Sequence, residues 1–484
     1  MYLQRYTKNK TNINIISSIV LASFTSLSYF IVYRIVISKL GVNFMGIWAL
    51  ILGYTSILSQ SVSSITTNLI RKIAGYTESE FQNKFSPLIF NAIFIYLIFF
   101  ASLLILVLAS IFLLFPKAYL STVSYQIIFL VIVGNFFTLL TSIFSTALDG
   151  RNKFYLKNIY LTIALVTSFI FFIVTVDTLN TWAVASMLLV QSLLSFILIF
   201  YHTRVKCNLI FSFTFFSLSD AKNILHESWK LQVSSLLVLC YEPIIKYFLS
   251  FYGLANVALY EASNKIILQI KNVFIIIIQT LLPNIVSLYK TNKEEFITYY
   301  YNLKSTIFQA ALLMFATVII ILPLISLFFF KVKNDNFFLI FSILSIGSLI
   351  NTIAILSHIQ FIAINKINIP LLSFLAILVS LIIFCPLLGT LLGGIGVIIG
   401  VCVSLIVGSL VTILCFERLY KNKLVQKKSA LFYFNCFLFC ISIFTISVHI
   451  KLSLAGYLLY LVTGVGICVS SYLLFTKQIK LKIA

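Results

Sequence analysis

Residues 240–271 read CYEPIIKYFLSFYGLANVALYEASNKIILQIK. Two apolar segments meet here at a short turn, and both carry charges inside them. Glu242 and Lys246 are four residues apart, as are Glu261 and Lys265, with Lys271 a turn and a half further on. At that spacing the members of each pair share a helix face, the acid N-terminal to the base, which is the better order. A charge near the centre of a bilayer costs about 2.5–3.5 kcal/mol on insertion scales, so it is turned toward protein or a water-filled path. By helical angle Lys271 stands about 80° from Glu261 and about 120° from Lys265, a broad charged face that suits the wall of a polar cavity.

The rest of the chain sets the environment. Of 484 residues, 61% are hydrophobic and only 10% are charged. Apolar runs of about 20 residues recur throughout, each long enough to span a bilayer as a helix. The composition predicts an all-α polytopic membrane protein of fourteen spans. Those of the first half are 13–37, 46–70, 87–115, 122–148, 158–177 and 181–202. After a more polar connection at 203–230 come 229–252, 257–288, 303–330, 336–362, 369–388, 393–416, 430–450 and 452–476. The 257–288 run exceeds one span, which implies a tilt, a kink at Pro283 or an extension beyond the membrane. The N-terminal run is too long for a signal-peptide core and should remain as the first helix.

The formal charge of +22 does not indicate nucleic acid, because the basic residues sit in short loops between spans. Alternate loops divide them 25 to 5. The poor side holds only Lys39, Lys117, Lys331, Lys333 and Lys451, and four more cations lie within spans. The excess places the rich side, and both termini, in the cytoplasm.

A short repeat links the halves. Leu40-Gly41-Val42-Asn43-Phe44-Met45-Gly46-Ile47-Trp48 aligns without gaps on Tyr252-Gly253-Leu254-Ala255-Asn256-Val257-Ala258-Leu259-Tyr260. Seven residues before each glycine stands a cation, Arg34 or Lys246, and twelve before stands Tyr29 or Tyr241. Both copies leave the cytoplasm in the same direction, so the repeat is parallel, about an axis along the membrane normal.

No catalytic constellation is present: no HExxH, nucleophile elbow, Walker loop or carboxylate ladder. The cysteines form neither a CxxC pair nor a loop framework, and neither a metal site nor a cofactor is expected. His358, inside a span, reads as a packed or hydrogen-bonded histidine, and Gly389, Gly393, Gly394, Gly396 and Gly400 read as close helix packing at an external turn. The turn Asp149-Gly150-Arg151-Asn152-Lys153 reads as a contact for anionic lipid head groups. Within spans Arg34, Lys246, Lys265 and Lys271 outnumber Glu242 and Glu261, a balance that favours an anionic substrate such as a phosphate or pyrophosphate group. The competing readings are snorkelling for Arg34 and mutual neutralisation of the two pairs.

Fourteen spans, Leu40-Gly41…Gly46-Ile47-Trp48, Leu148-Asp149-Gly150-Arg151, and Glu242-Pro243-Ile244-Ile245-Lys246 with Gly253…Tyr260-Glu261-Ala262…Lys265 resemble the polysaccharide flippases of bacterial membranes. These are the Wzx-type O-antigen and capsule-unit transporters, in the superfamily that also holds multidrug exporters and the lipid II flippase. The resemblance implies a MATE-like arrangement of two six-helix lobes (1–205 and 206–420) around a V-shaped cavity, with a C-terminal helix pair (421–484) packed outside. It implies transfer of undecaprenyl-pyrophosphate-linked oligosaccharide across the cytoplasmic (inner) membrane by alternating access. Its expected partners are that anionic lipid, membrane lipids and other polysaccharide-assembly proteins. The return step would be coupled to a proton, to another ion such as sodium or to the membrane potential, with Glu242 or Glu261 as the titrating group. Drug exporters of the superfamily commonly carry an acid in the first lobe's cavity, where the first span here offers Arg34. An ion-coupled exporter of small molecules would call for excess acids within spans. A membrane polysaccharide polymerase would call for a sizeable external loop with polar catalytic groups.

Overall fold

The computed structural model describes residues 2–60, 63–114, 125–151, 153–210, 212–280, 285, 288–289, 291–331, 334–364, 366 and 368–420. Among them every regular element is helical. The α-helices are α1 (Tyr2–Gln60), α2 (Ser63–Ala74), α3 (Glu78–Leu114), α4 (Tyr125–Gly150), α5 (Phe154–Leu179) and α6 (Trp182–Lys206). A short 3-10 turn, Phe213–Phe215, leads to α7 (Leu218–Leu239), α8 (Tyr241–Ser250), α9 (Leu254–Thr280), α10 (Lys293–Phe330), α11 (Asp335–Ala363) and α12 (Asn368–Leu419).

Local chemistry sets the boundaries. Ser217, Asn292 and Asn334 cap α7, α10 and α11, their side-chain oxygens accepting from backbone amides of the first turn. Pro243 cannot donate to a carbonyl one turn back, and the chain breaks between α7 and α8 at Cys240. Gly41 interrupts α1 at φ 88° and ψ 161°, and Gly393 interrupts α12 at φ 65° and ψ −146°. That backbone region is open essentially to glycine alone.

Nine of the described helical segments are long and apolar enough to cross a membrane. Two of the nine contain the glycine breaks, so each supplies two of the expected spans. The helix α9, 27 residues long, is not among the nine; it is the one that holds Glu261, Lys265 and Lys271. The first twelve expected spans therefore each have a helical counterpart. Spans thirteen and fourteen, and Pro283, lie outside the described residues. Large apolar side chains face outward along these helices: Ile105, Phe129, Val174 and Leu391 are each more than 60% exposed. Water would penalise such a surface, and lipid would not. The protein is a multi-pass membrane protein.

The chain forms two compact units, Met1–Tyr247 and Phe248–Ala484. In the first, α4 packs on α6, α5 on α6 and α1 on α5, while α7 lies against α2 and α3. The polar connection at 207–217 is strapped to α3. Asn91, fully buried, donates to the Phe215 carbonyl and accepts from Ser217 N–H, each at 2.9 Å, and Ile210 N–H donates to Ser86. In the second unit α11 is central, packing on α12, α9 and α10. Of the nine membrane-length helices among the described residues it is the most enclosed, with 72% of its apolar window buried.

The sequence repeat is a repeat of structure. Gly41 and Gly253 both have positive φ, at 88° and 106°. After each, the aligned quartets Met45–Trp48 and Val257–Tyr260 are buried at all four positions. Four contacts also join segments that the loop charges assign to one side of the membrane. Lys39 pairs with Asp177, Arg151 with Glu78 and Lys304 with Glu417, while Tyr252 meets Gly389.

Candidate functional site

In the first unit Glu242 lies in the first turn of α8 and Lys246 follows one turn later. Lys246 Nζ stands 3.2 Å from Glu242 Oε2, and the lysine is the enclosed partner, its side chain 4% exposed against 31% for the acid. Its aliphatic stem is accommodated by the missing side chain of Gly53 on α1: a Cβ there would lie 2.8 Å from Lys246 Cδ. Arg34, the aligned cation of the other repeat copy, is exposed. The aligned cations thus share a register but not a degree of burial.

The second pair inverts the first. Glu261 Oε1 is 3.5 Å from Lys265 Nζ, and here the acid is enclosed, 2% exposed against 33% for the lysine. The accessible member is an acid on α8 and a base on α9. Both pairs are i,i+4 neighbours, as the spacing predicts.

Lys271 reaches across to α11, donating to Asn351 Oδ1 at 2.7 Å. Asn351 Nδ2 donates to Ser409 Oγ on α12 at 3.1 Å, and Ser409 donates to the Leu405 carbonyl at 2.6 Å. Two turns beyond Asn351 on α11, His358 Nε2 lies 3.4 Å from Ser373 Oγ on α12, which donates to the Gly408 carbonyl at 2.6 Å. Polar groups thus run across α9, α11 and α12. His358 also packs on Phe374 and is a hydrogen-bonded, packed histidine, as expected.

Sequence reasoning missed Gly53, Asn351 and Ser409, since single small or amide residues in different spans carry no spacing signal. It also missed Lys304, placed among loop cations. That residue is buried in α10, its Nζ 3.0 Å from Glu417 Oε1 on α12. The basic turn after α4 carries ion pairs of its own. Asp149 is buried and accepts from Lys157 at 2.6 Å, while Arg151 pairs with Glu78 and covers the Phe81 ring at 4.4 Å. Of the cations on the described part of that turn, Lys153 is exposed. The external glycines do mediate close packing: Cβ atoms on Gly389 and Gly394 would meet Tyr252 and Asn256 at 3.0 and 2.7 Å. No group of three or more metal-ligating side chains occurs among the described residues.

A family described as polysaccharide biosynthesis protein matches residues 10–289, more than half the chain and all of the 240–271 stretch. The chain belongs to that family. This polysaccharide biosynthesis protein matches no curated protein. Its fold is shared with solved transporters. The lipid II flippase MurJ in an inward closed conformation aligns at TM-score 0.68 and 15% identity, covering 96% of this chain and 99% of that one. An inward-facing multidrug resistance MATE family transporter of the MOP superfamily aligns at 0.67 and 17%, covering 81% and 93%. A Vibrio cholerae MATE transporter, VcmN, aligns at 0.59 and 15%, covering 87% and 99%. At these identities the likeness establishes the fold, an all-α MATE- and MurJ-like membrane architecture.

Proposed function

We propose that this polysaccharide biosynthesis protein is a flippase. It moves undecaprenyl-pyrophosphate-linked oligosaccharide units, of O-antigen or capsule, from the cytoplasmic to the outer leaflet of the bacterial inner membrane by alternating access. The observation that carries the reading is the cationic balance of membrane-embedded side chains in 240–271, with Lys265 part-exposed and Lys271 held by a neutral amide. A carboxylate-rich span would repel a diphosphate; an ammonium on a polar strip attracts one. The family supports a substrate in polysaccharide synthesis, and the fold is one that a lipid II flippase uses.

In this reading Arg34 and Lys246 of the first unit and Lys265 and Lys271 of the second attract the diphosphate, with Glu242 and Glu261 tempering their charge. The prenyl tail stays in lipid, and the sugars are solvated by polar side chains. The proton or sodium ion that couples the return step acts through Glu242 or Glu261. Both termini lie in the cytoplasm, and other polysaccharide-assembly proteins consume the product.

The MATE likeness favours a second reading, an ion-coupled exporter of small molecules. Such a carrier of cationic compounds needs excess acid within its spans, and the cations lead here. A mass-spectrometric census of lipid-linked oligosaccharides in cells lacking and then regaining the gene separates the two. Accumulation of a complete repeat unit on prenyl pyrophosphate in the inner leaflet is the expected result. Unchanged precursors with a rise in sensitivity to cationic drugs would overturn it.

A further inference from the structure

We propose that a groove between α1 and α5 binds one acyl chain of an anionic phospholipid of the cytoplasmic leaflet, with the head group at Lys153. This site is separate from the charges of 240–271 and does not depend on the flippase reading.

Two helix faces make the groove. Ile13, Ile16 and Val20 share one face of α1 by their three- and four-residue spacing, and Ile159 and Ile163 share one face of α5. They line a cavity of about 360 Å³. These five side chains are between 42% and 61% exposed, so the cavity opens outward. The polar groups of its wall spend their hydrogens within the protein. Asn158 donates to Ser17 and to Ser18, each at 2.9 Å. Ser17 donates to the Asn14 carbonyl at 2.9 Å, and Thr162 to the Asn158 carbonyl at 2.8 Å. A sugar or phosphate enclosed beside these three residues would give up water without replacement, whereas a hydrocarbon gives up nothing. The same bonds, with Tyr155 N–H donating to Asn14 Oδ1 at 3.0 Å, stitch the two helices together. The rise from Ile13 to Val20 is about 10 Å, roughly two thirds of the ~15 Å hydrocarbon depth of one leaflet. A chain lying there stays within its leaflet, as a phospholipid chain does. The end of the groove at Ile13 and Tyr155 is the one that the loop charges assign to the cytoplasm. Tyr155 is there the amphipathic type of residue that sits at head-group level. Lys153, two residues before it, is exposed, whereas Lys157 is engaged by Asp149. Lys8 and Lys10 stand five and three residues before Ile13. Cations so placed attract an anionic head group.

The test is photo-crosslinking of the full-length protein in phosphatidylcholine vesicles. These carry a trace of phosphatidylglycerol or of phosphatidylcholine with a diazirine in one acyl chain, and labelled peptides are mapped by mass spectrometry. The reference is the open face of α3 at Ile105 and Leu106, 68% and 63% exposed. Label from phosphatidylglycerol at 13–20 and 155–163 is expected to exceed that face, and to exceed label from phosphatidylcholine, by about fivefold, the advantage of one surface cation. Ile163→Trp fills the groove and should bring its label down to the reference. Should that variant fail to fold, Val20→Trp fills the groove from the other wall. Lys153→Gln should abolish most of the lead of phosphatidylglycerol. Equal label at the groove and the α3 face of the wild type would mean annular lipid only and would overturn the inference. So would equal label from the two lipids, or a lead that survives Lys153→Gln. Displacement by added undecaprenyl phosphate, but not by added unlabelled phosphatidylglycerol, would assign the groove to a prenyl tail and overturn it as well.

Discussion

The stem of Lys246 lies along the bare face of Gly53, so that a Cβ on the glycine would stand 2.8 Å from Lys246 Cδ and 3.5 Å from its Nζ. The atoms that would be crowded belong to a flexible side chain rather than to backbone. Gly53→Ala should therefore be absorbed by a small shift of the lysine, at a cost below about 1 kcal/mol. Gly53→Leu fills the space that the stem occupies and drives the ammonium away from Glu242. Transport in reconstituted vesicles should fall at least about tenfold for the leucine variant, equivalent to about 1.4 kcal/mol, with alanine near wild type. Equal activity in both would mean that the location of Lys246 does not matter to transport.

Gly41 and Gly253 differ from Gly53 in what constrains them. Nothing lies within 4 Å of a Cβ built on either, so space is not the issue. Both have positive φ, and Gly41 occupies the extended mirror region that side chains avoid. Alanine at Gly41 should cost about 1–3 kcal/mol of backbone strain, read as a lowered thermal midpoint in detergent. Alanine at Gly253 should lower the midpoint similarly, because the repeat places both glycines at the same structural position. A large loss at one site with none at the other would argue against equivalent roles.

How far these features are legible in the sequence follows from their range. Helix pairs such as Glu242–Lys246 are set by spacing within one element, and the aligned glycine turns by local backbone preference; both can be read directly. The same holds for spans, since bilayer thickness fixes their length. Contacts between distant helices leave no such trace. Lys304 looks like one more loop cation until α12 brings Glu417 beside it, and Asn351 looks like any polar residue until α9 brings Lys271. The inversion of burial between the two ion pairs is equally hidden, because it depends on which neighbour covers which face.

The Lys304–Glu417 pair ties α10 to α12, with the lysine side chain 7% exposed and the acid 34%. Removing the acid leaves an enclosed ammonium without this counter-charge. Glu417→Gln should lower stability by about 1–3 kcal/mol, less than a fully buried pair would because the acid is partly accessible. Lys304→Met together with Glu417→Gln should recover much of the loss, since the stem still packs beside Tyr300 and no charge is stranded. A double variant no more stable than Glu417→Gln alone would show that the charges do not interact.

The sidedness of the membrane arrangement can be tested at two of the ion pairs. Lys39 of α1 pairs with Asp177 of α5, and Arg151, just after α4, pairs with Glu78 at the start of α3. The 25-to-5 division of basic residues predicts Glu78 in the cytoplasm and Asp177 outside. Both acids are open to a reagent, at 71% exposure for Asp177 and 72% for Glu78, so reactivity will report location rather than burial. Exposed ion pairs contribute at most about 1 kcal/mol, so either acid can be replaced without unfolding the protein. With the eight native cysteines changed to alanine, Asp177→Cys should react with a membrane-impermeant maleimide in intact cells. Glu78→Cys should react only after the membrane is opened. The opposite pattern would reverse the orientation and place the N-terminal segment outside. Labelling of both sites in intact cells would break the alternation itself, because an odd number of spans must separate residue 78 from residue 177.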